Sequence, residues 1–277
     1  MNPKESRIAG NEEAVMNYKT ILFEKKNHIG RITLNRPEAL NALNRDMIVE
    51  IGHALEEAQK DHEIRVVIIT GKGKAFCAGA DLKFVKEEMK SLRDQEEFFR
   101  FGNKTLMSAL ENLNKPVIAS INGFAFAGGF EIMLACDLVI ASEDALIADQ
   151  HINFGLVGPG GTTQRLPRIV GIRKAKEIIL MGGRLSAREA ERIGLVNRVV
   201  PPKELEEATE EMAAKLAEKS PVAVRIAKTL INRALEADRV TAAELEVMSA
   251  IVNATSEDYQ EGIAAFNEKR KPVFKGR

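Results

Sequence analysis

An uninterrupted β-branched segment, Arg-Val-Val-Ile-Ile-Thr at residues 65–70, constrains the fold most. A strand without polar alternation is typical of a parallel sheet that is covered on both faces. Similar apolar strands are predicted at residues 117–121 and 137–141. Helical periodicity predicts helices at residues 45–60, 94–112 and 128–136. Strands that alternate with helices require crossover connections, so the sequence predicts an α/β fold with a largely parallel sheet.

The two ends of the chain differ from this central pattern. Near the start, alternating residues 18–24 and 28–34 predict a β-hairpin around Lys25-Lys26-Asn27. After residue 200 the strand-like segments stop, and four helices are predicted at residues 203–219, 221–237, 241–253 and 257–270, with starts at Ser220, Thr241 and Ser256. We therefore predict a flexible tail at residues 1–17, a core at residues 18–200, and a helical C-terminal subdomain at residues 201–277 that packs on the core or on a neighbouring subunit.

Composition excludes several classes of protein. The formal net charge is zero, so bulk electrostatics favour neither a nucleic-acid partner nor an anionic membrane. Polar residues interrupt the long apolar stretch at residues 116–141, which indicates a buried core segment and not a membrane span. The two cysteines, Cys77 and Cys136, fit neither a disulfide framework nor a metal-ligand spacing, so a reducing cytoplasm and no metal are predicted. The first seventeen residues do not resemble a signal peptide.

A glycine-containing turn follows the strand at residues 65–70. Gly71-Lys72-Gly73 resembles the start of a dinucleotide-binding fingerprint, but the sixth position is Phe76 and no helix pattern begins there. No phosphate-binding P-loop pattern occurs in the chain either. The segment is therefore interpreted as an ordinary strand-to-loop turn.

Glu131 lies in the segment Phe-Ala-Phe-Ala-Gly-Gly-Phe-Glu-Ile at residues 124–132. Gly128 and Gly129 open an apolar helix, and the free N–H groups at a helix start, together with its dipole, stabilise an anion. A lone glutamate at a helix start is often only a favourable helix charge. Here the surrounding apolar residues predict that Glu131 is buried, and a buried carboxylate is costly and usually retained for function.

A second small-residue segment, Ala-Phe-Cys-Ala-Gly-Ala-Asp-Leu, covers residues 75–82. Small residues let a ligand approach the backbone, although the segment also fits a tight buried turn. A backbone N–H from Gly79-Ala80 would complete a two-donor oxyanion hole with the start of the Gly128 helix. Asp81 precedes a helical pattern, so we interpret it as a helix N-cap and not as a catalytic acid.

A third segment, residues 149–166, combines Asp149 and His151 with a loop rich in glycine. His28, His53 and His62 lie in the hairpin and the first helix and are predicted to be surface residues. His151 alone stands beside an apolar, constrained loop. Such a histidine is either structural or an acid–base group, because imidazole titrates near neutral pH.

Together these segments resemble the crotonase family, the enoyl-CoA hydratase/isomerase enzymes. The resemblance covers most of the chain from Tyr18 onward, and its motifs lie at residues 35–37, 41–43, 76–82, 115–137, 155–166, 185–196 and 264–272. It implies a spiral of ββα units, a coenzyme A thioester as substrate, and trimers that often pair into hexamers. Coenzyme A is then part of the substrate, and no separate cofactor is expected.

The resemblance also implies roles for individual residues. Glu131 matches the first catalytic glutamate of the hydratases, and His151 stands where the second glutamate usually lies. Ala80 and Gly128 match the two oxyanion-hole donors. Residues that match the CoA and substrate-binding positions are Ala78, Gly79, Ala80, Asp81, Leu82, Phe266 and Lys269. Phe266 and Lys269 belong to the C-terminal helix, which in this family often reaches the CoA of an adjacent subunit.

The activity that the resemblance implies is hydration of a 2-enoyl-CoA to a 3-hydroxyacyl-CoA, or the reverse dehydration. Glu131 would activate water, and a protonated His151 would serve as the acid. Because His151 replaces a glutamate, double-bond isomerisation and CoA-thioester hydrolysis remain alternatives, as does a non-catalytic acyl-CoA-binding protein on the same scaffold. The sequence leaves open whether Asp149 takes over the role of the missing carboxylate.

Overall fold

The computed structural model describes residues 18–277, so the predicted flexible tail at residues 1–17 lies outside the described residues. None of the helices described there is both long enough and apolar enough to cross a bilayer. Within this range the backbone forms two β-sheets with helices packed around and between them.

The larger sheet contains six strands within residues 18–277, in the spatial order β1-β2-β3-β5-β7-β10. Their bounds are Ile21–Lys26 (β1), Ile29–Leu34 (β2), Val66–Gly71 (β3), Val117–Ile121 (β5), Leu138–Ser142 (β7) and Arg198–Val200 (β10). The β1–β2 pair is antiparallel and all other neighbours are parallel. The β-branched strand β3 is central and almost wholly buried, as the sequence predicts.

The smaller sheet contains β4 (Ala75–Cys77), β6 (Phe124–Phe126), β8 (Leu146–Ala148) and β9 (Leu185–Ser186). Strands β4, β6 and β8 run parallel, and each follows directly after a strand of the larger sheet. The chain therefore repeats one unit, in which a long strand, a short strand and a helix follow one another. This repetition confirms the predicted spiral of ββα units.

Twelve α-helices are described in residues 18–277. They are α1 (Arg45–Lys60), α2 (Leu82–Glu88), α3 (Leu92–Gly102), α4 (Ser108–Asn112), α5 (Gly128–Ala135), α6 (Thr162–Val170), α7 (Ile172–Met181), α8 (Ala187–Arg192), α9 (Leu205–Ala217), α10 (Pro221–Arg233), α11 (Arg239–Ala254) and α12 (Glu257–Asn267). A π-helical segment, Asn103–Met107, joins α3 to α4. Short 3₁₀ helices occur at Pro37–Ala39, His151–Phe154 and Pro202–Glu204.

Two predicted boundaries differ from those in the structure, and local backbone geometry and hydrogen bonds explain both differences. The predicted hairpin turn at residues 25–27 is wrong, because β1 continues to Lys26 and the turn is Asn27-His28, both with positive φ. Two such residues give the turn geometry that matches the twist of a hairpin. Thr241 is also not the helix start that was predicted. The Asp238 side chain accepts hydrogen bonds from the N–H groups of Val240 and Thr241, so α11 begins earlier, at Arg239.

The C-terminal helices do not all pack alike. Helix α9 lies on the larger sheet, where Ala213 and Ala217 join a buried cluster with Ile29, Val66 and Ile68. By contrast, α10 and α11 contain no buried residue within the described chain. The predicted boundary after residue 200 stays a prediction, and within residues 201–277 helix α9 packs directly on the larger sheet.

Candidate active site

One half of the candidate oxyanion hole is the turn after β4. Gly79 has a φ of 104°, which suits glycine, and its carbonyl accepts the Leu43 N–H at 2.7 Å. The Asp81 N–H donates to the Leu43 carbonyl at 2.9 Å, so Leu43 pairs with this turn on either side of Ala80. Within residues 18–277 the Ala80 N–H has no hydrogen-bond acceptor. That donor is therefore available to a ligand.

The other half of the hole is the start of α5. Ala127 has φ 47° and ψ −113°, a backbone conformation that turns the chain sharply from β6 into the helix. The Gly128 N–H also has no acceptor among the residues described. A Cβ on Gly128 would lie 3.5 Å from Gly79 Cα, so the two turns are in direct contact. Two free N–H donors, one of them at a helix start, are the kind of groups that can stabilise a developing oxyanion.

Glu131 occupies the first turn of α5 and is 3% exposed, which confirms the burial that the sequence predicts. Its Oε1 accepts the Gly160 N–H at 2.6 Å and the Thr162 hydroxyl at 3.4 Å. Burial raises the pKa of Glu131 above its ordinary value, although the nearby His151 and the Gly160 N–H favour the charged form. A carboxylate with a raised pKa is suited to general base catalysis.

His151 begins the 3₁₀ helix that follows β8. Gln150, the residue before it, has a φ of 60° and donates its side-chain amide to the Gly182 carbonyl at 3.1 Å. This hydrogen bond fixes the residue immediately before His151. His151 Nδ1 lies 2.8 Å from Asp149 Oδ1. Burial disfavours the imidazolium, but the hydrogen bond to Asp149 and the charges of Glu131 and Asp149 outweigh it and raise the pKa of His151.

The glycine loop brings Glu131 and His151 together. A Cβ on Gly158 would lie 2.6 Å from Glu131 Oε1 and 2.9 Å from His151 Nδ1, so the two side chains meet at one point of the loop. A Cβ on Gly160 would lie 2.5 Å from Glu131 Oε2. Glycine at these two positions lets the loop approach the carboxylate closely enough to donate a backbone hydrogen bond.

A mainly apolar cavity of about 230 Å³ contains these groups. Ala80, Gly128, Glu131 and His151 line one part of it. Its apolar walls include Leu43, Leu82, Val85, Phe98, Leu106 and Met107. The residues with a buried carboxylate, an imidazole and two free N–H groups therefore line one mainly apolar cavity.

The other residues predicted at the site lie in different surroundings. Asp81 is the N-cap of α2, as the sequence predicts: it accepts the Lys83 and Phe84 N–H groups and pairs with Arg36 at 2.9 Å. The Ala78 N–H donates to the Leu40 carbonyl, so Ala78 belongs to the supporting turn. Phe266 and Lys269 are exposed at the end of α12 and do not line the cavity. Their role in CoA binding stays a prediction.

Sequence reasoning missed several residues that shape the site. Gly160 and Thr162 hydrogen-bond to Glu131, a contact between this loop and the carboxylate that the sequence analysis does not predict. The π-helical segment supplies Leu106 and Met107 to the cavity, and Asn103 donates to the Pro159 carbonyl at 3.1 Å. The glycine-rich composition of the loop was a signal for the first contact. The π-helix has no comparable sequence signal.

Fold and site together define the crotonase class of enzymes, in which stacked ββα units carry the catalytic groups at their junction. The chain belongs to the enoyl-CoA hydratase/isomerase family, whose family model matches residues 24–277. This membership confirms the resemblance and the fold that the sequence predicts.

Individual relatives resemble the chain over nearly its whole length. The short-chain-enoyl-CoA hydratase of Clostridium acetobutylicum is 42% identical over 95% of this chain and 100% of its own. The crotonyl-CoA hydratase of Syntrophomonas wolfei is 38% identical over 94% of this chain and 99% of its own. The crystal structure of an enoyl-CoA hydratase from Bacillus anthracis matches with a TM-score of 0.90 and 39% identity, covering 94% of this chain and 100% of that one.

Proposed function

We propose that the protein hydrates a 2-enoyl-CoA to a 3-hydroxyacyl-CoA and catalyses the reverse dehydration. The observation that carries this proposal is that Glu131, His151 and the free N–H groups of Ala80 and Gly128 line one cavity. The names of the two curated relatives support the same reaction. The reaction balances with water and the thioester alone, so the proposal needs no further cofactor.

In the proposed mechanism the thioester oxygen accepts the Ala80 and Gly128 N–H groups. Glu131 removes a proton from water while the water oxygen bonds to the β-carbon, and the electron pair of the double bond moves to form an enolate. The two N–H donors and the α5 dipole stabilise the oxygen of this enolate. Protonated His151 then gives its proton to the α-carbon, and Glu131 and His151 recover their starting protonation states through solvent.

Double-bond isomerisation and thioester hydrolysis are the competing activities. An isomerase would move one proton along the acyl chain, with Glu131 as its base. A hydrolase would release free CoA. A non-catalytic acyl-CoA-binding protein would have no need for a buried glutamate. Burial of a carboxylate is unfavourable, and it raises the pKa of Glu131.

The experiment that tests the proposal supplies purified protein with crotonyl-CoA and follows the loss of conjugated-thioester absorbance. Mass spectrometry identifies the product, a 3-enoyl-CoA substrate tests isomerisation, and a thiol reagent detects free CoA. Asp144→Asn is a matched control, because Asp144 is exposed and lies outside the cavity. Release of free CoA would indicate thioester hydrolysis instead of hydration. A shift of the double bond without added water would indicate isomerisation.

We further propose that the protein assembles as a trimer or a pair of trimers. In a single copy of the chain, helix α11 exposes five large apolar side chains, each at least 44% exposed: Leu245, Val247, Met248, Ile251 and Val252. A monomer rarely leaves so many apolar side chains uncovered together. The 84% exposure of Phe266 supports the proposal that this side chain contacts the CoA of an adjacent subunit.

The protein is also proposed to act in the cytoplasm, in the metabolism of fatty acyl chains. Cys77 and Cys136 are both free thiols, which supports a reducing compartment. The bacterial relatives named above act on CoA thioesters according to their names, which supports the metabolic assignment.

A further inference from the structure

Asp149 is a buried carboxylate that the proposed hydration does not use. It is the first residue after β8 and is 2% exposed. Strand β8 is fixed to the start of α5, since the Ala127 N–H donates to the Ala148 carbonyl at 3.1 Å. The Asp149 carbonyl also accepts the His151 N–H at 2.8 Å. The backbone therefore holds Asp149 rigidly beside the catalytic elements.

The hydrogen bond between Asp149 and His151 determines which ring nitrogen is free. Asp149 Oδ1 lies 2.8 Å from Nδ1, a distance at which a carboxylate oxygen accepts a hydrogen bond from an Nδ1–H group. The other nitrogen, Nε2, has no hydrogen-bond partner within residues 18–277, and it is not sealed inside the protein. His151 lines the cavity, and Nε2 is the ring nitrogen that makes no hydrogen bond to the described residues.

Two carboxylates face the His151 ring from the elements around it. Glu131 approaches from α5 and Asp149 from the end of β8, and both favour the imidazolium. The Cys77 thiol on β4 interacts electrostatically with Glu131, and burial raises the pKa of this thiol to about 12, so it stays neutral. Glu131 contacts the loop through Gly160 and Thr162, whereas the one hydrogen bond of the Asp149 side chain within the described chain goes to His151.

We propose that Asp149 is a positioning residue for His151: it fixes the ring orientation and the Nδ1–H tautomer, so that Nε2 alone delivers the proton to the α-carbon. This inference rests on the proposed function, because it presupposes that His151 is the acid. Nε2 loses its proton in the reaction and regains it afterwards, while Nδ1 keeps its hydrogen bond to Asp149 throughout.

The first test needs no substrate. Nitrogen-15 NMR of the full chain reads the tautomer and titration of His151, assigned by comparison with His151→Ala. We expect the Nδ1–H tautomer in the neutral ring, and a His151 titration that moves to lower pH in Asp149→Asn, because the substitution removes a negative charge. An Nε2–H tautomer in the wild type, or an unmoved titration in the variant, would overturn the proposal.

The second test is kinetic. Asp149→Asn keeps the side-chain shape, and we expect kcat on crotonyl-CoA to fall by roughly 10²-fold, the lower range of general acid–base contributions, with KM nearly unchanged. The alkaline limb of the pH–rate profile should move to lower pH. Asp144→Asn, at an exposed residue of the turn between β7 and β8, should leave both kcat and the profile unchanged.

A double substitution separates positioning from general structural damage. In a His151→Ala background, Asp149→Asn should cost little more activity, because the group it orients is already gone. Equal losses in both backgrounds would overturn the positioning role. If the wild type hydrates no enoyl-CoA but NMR still shows the expected tautomer and titration shift, the positioning of His151 by Asp149 is supported and only the proposed reaction is wrong.

Discussion

The Gly160 N–H donates a 2.6 Å hydrogen bond to Glu131 Oε1, joining two residues that are 29 positions apart in the sequence. The contact requires glycine, because a Cβ at residue 160 would lie 2.5 Å from the other carboxylate oxygen. It orients the carboxylate and favours its ionised form, whereas burial favours the protonated form. The loop therefore adjusts the basicity of Glu131 as well as its position.

Glu131→Gln should reduce hydration of crotonyl-CoA by about 10²–10⁴-fold, the usual contribution of a general acid or base. The glutamine oxygen can still accept the Gly160 N–H, so binding of the CoA ester should persist. Loss of absorbance measures turnover, and calorimetry with a saturated acyl-CoA measures binding. Turnover at the wild-type rate would remove Glu131 from the mechanism.

The same substitution should stabilise the protein at alkaline pH. The pKa of Glu131 is raised in the folded state, so its favourable contribution exists below about pH 4.5 and is lost as pH rises through the folded-state value. We expect the Tm of Glu131→Gln to exceed that of the wild type at pH 8. Thermal unfolding followed from pH 8 to pH 4 should show the difference shrinking, and a difference that grows toward acid would contradict the raised pKa.

Substitution of Gly128 should remove activity without unfolding the protein. A Cβ there would lie 2.9 Å from Leu43 Cδ1, a flexible side-chain end that can shift, so we expect Gly128→Val to fold. The added side chain would obstruct the thioester oxygen, and losing one oxyanion donor costs roughly 10²–10³-fold in kcat. Gly183→Ala is the control, because a Cβ at Gly183 would have no neighbour within 4 Å. A near-normal kcat with a native circular-dichroism spectrum would place the oxyanion hole elsewhere.

His151 should give the pH–rate profile its alkaline limb. The acid form of His151 is required and its pKa is raised above 6.5, so the rate should fall as pH rises through the folded-state value. The rate should also fall toward acid, as Glu131 becomes protonated. His151→Ala should lose the alkaline limb and His151→Glu should retain hydration on a simple enoyl-CoA, with exposed His62→Ala as the control.

The outcome for His151 distinguishes two roles. If His151→Ala changes the preferred acyl chain and leaves the pH profile unaltered, the ring shapes the pocket and is not the acid. If both His151 variants match the wild type on every substrate, the histidine is structural.

The α11 surface should hold subunits together. Val247 and Ile251 are one helical turn apart and are 55% and 57% exposed in a single described chain. We expect sedimentation of the wild type to give a trimer or hexamer, and Val247→Glu with Ile251→Glu to yield smaller species. Leu22→Glu, at an exposed residue of strand β1, should not change the mass. A wild-type monomer at micromolar concentration would contradict the proposed assembly.

The sequence by itself determined the elements whose signals are local. The β-branched residues of β3 and the periodicity of α1 predicted both elements to within a residue, because burial on both faces and an apolar helical stripe each leave a direct pattern. The Asp81 cap followed from the helix pattern after it. The burial of Glu131 followed from its apolar neighbours along α5.

Only the tertiary structure decided which groups meet. The contact of Gly79 with Gly128, the approach of Gly160 to Glu131 and the free Nε2 of His151 all depend on how strands from separate ββα units stack. Such contacts join residues far apart in the chain, and no periodicity records them. The sequence thus determined which chemical groups the chain carries, and packing decided that a carboxylate, an imidazole and two residues with free N–H groups line one cavity.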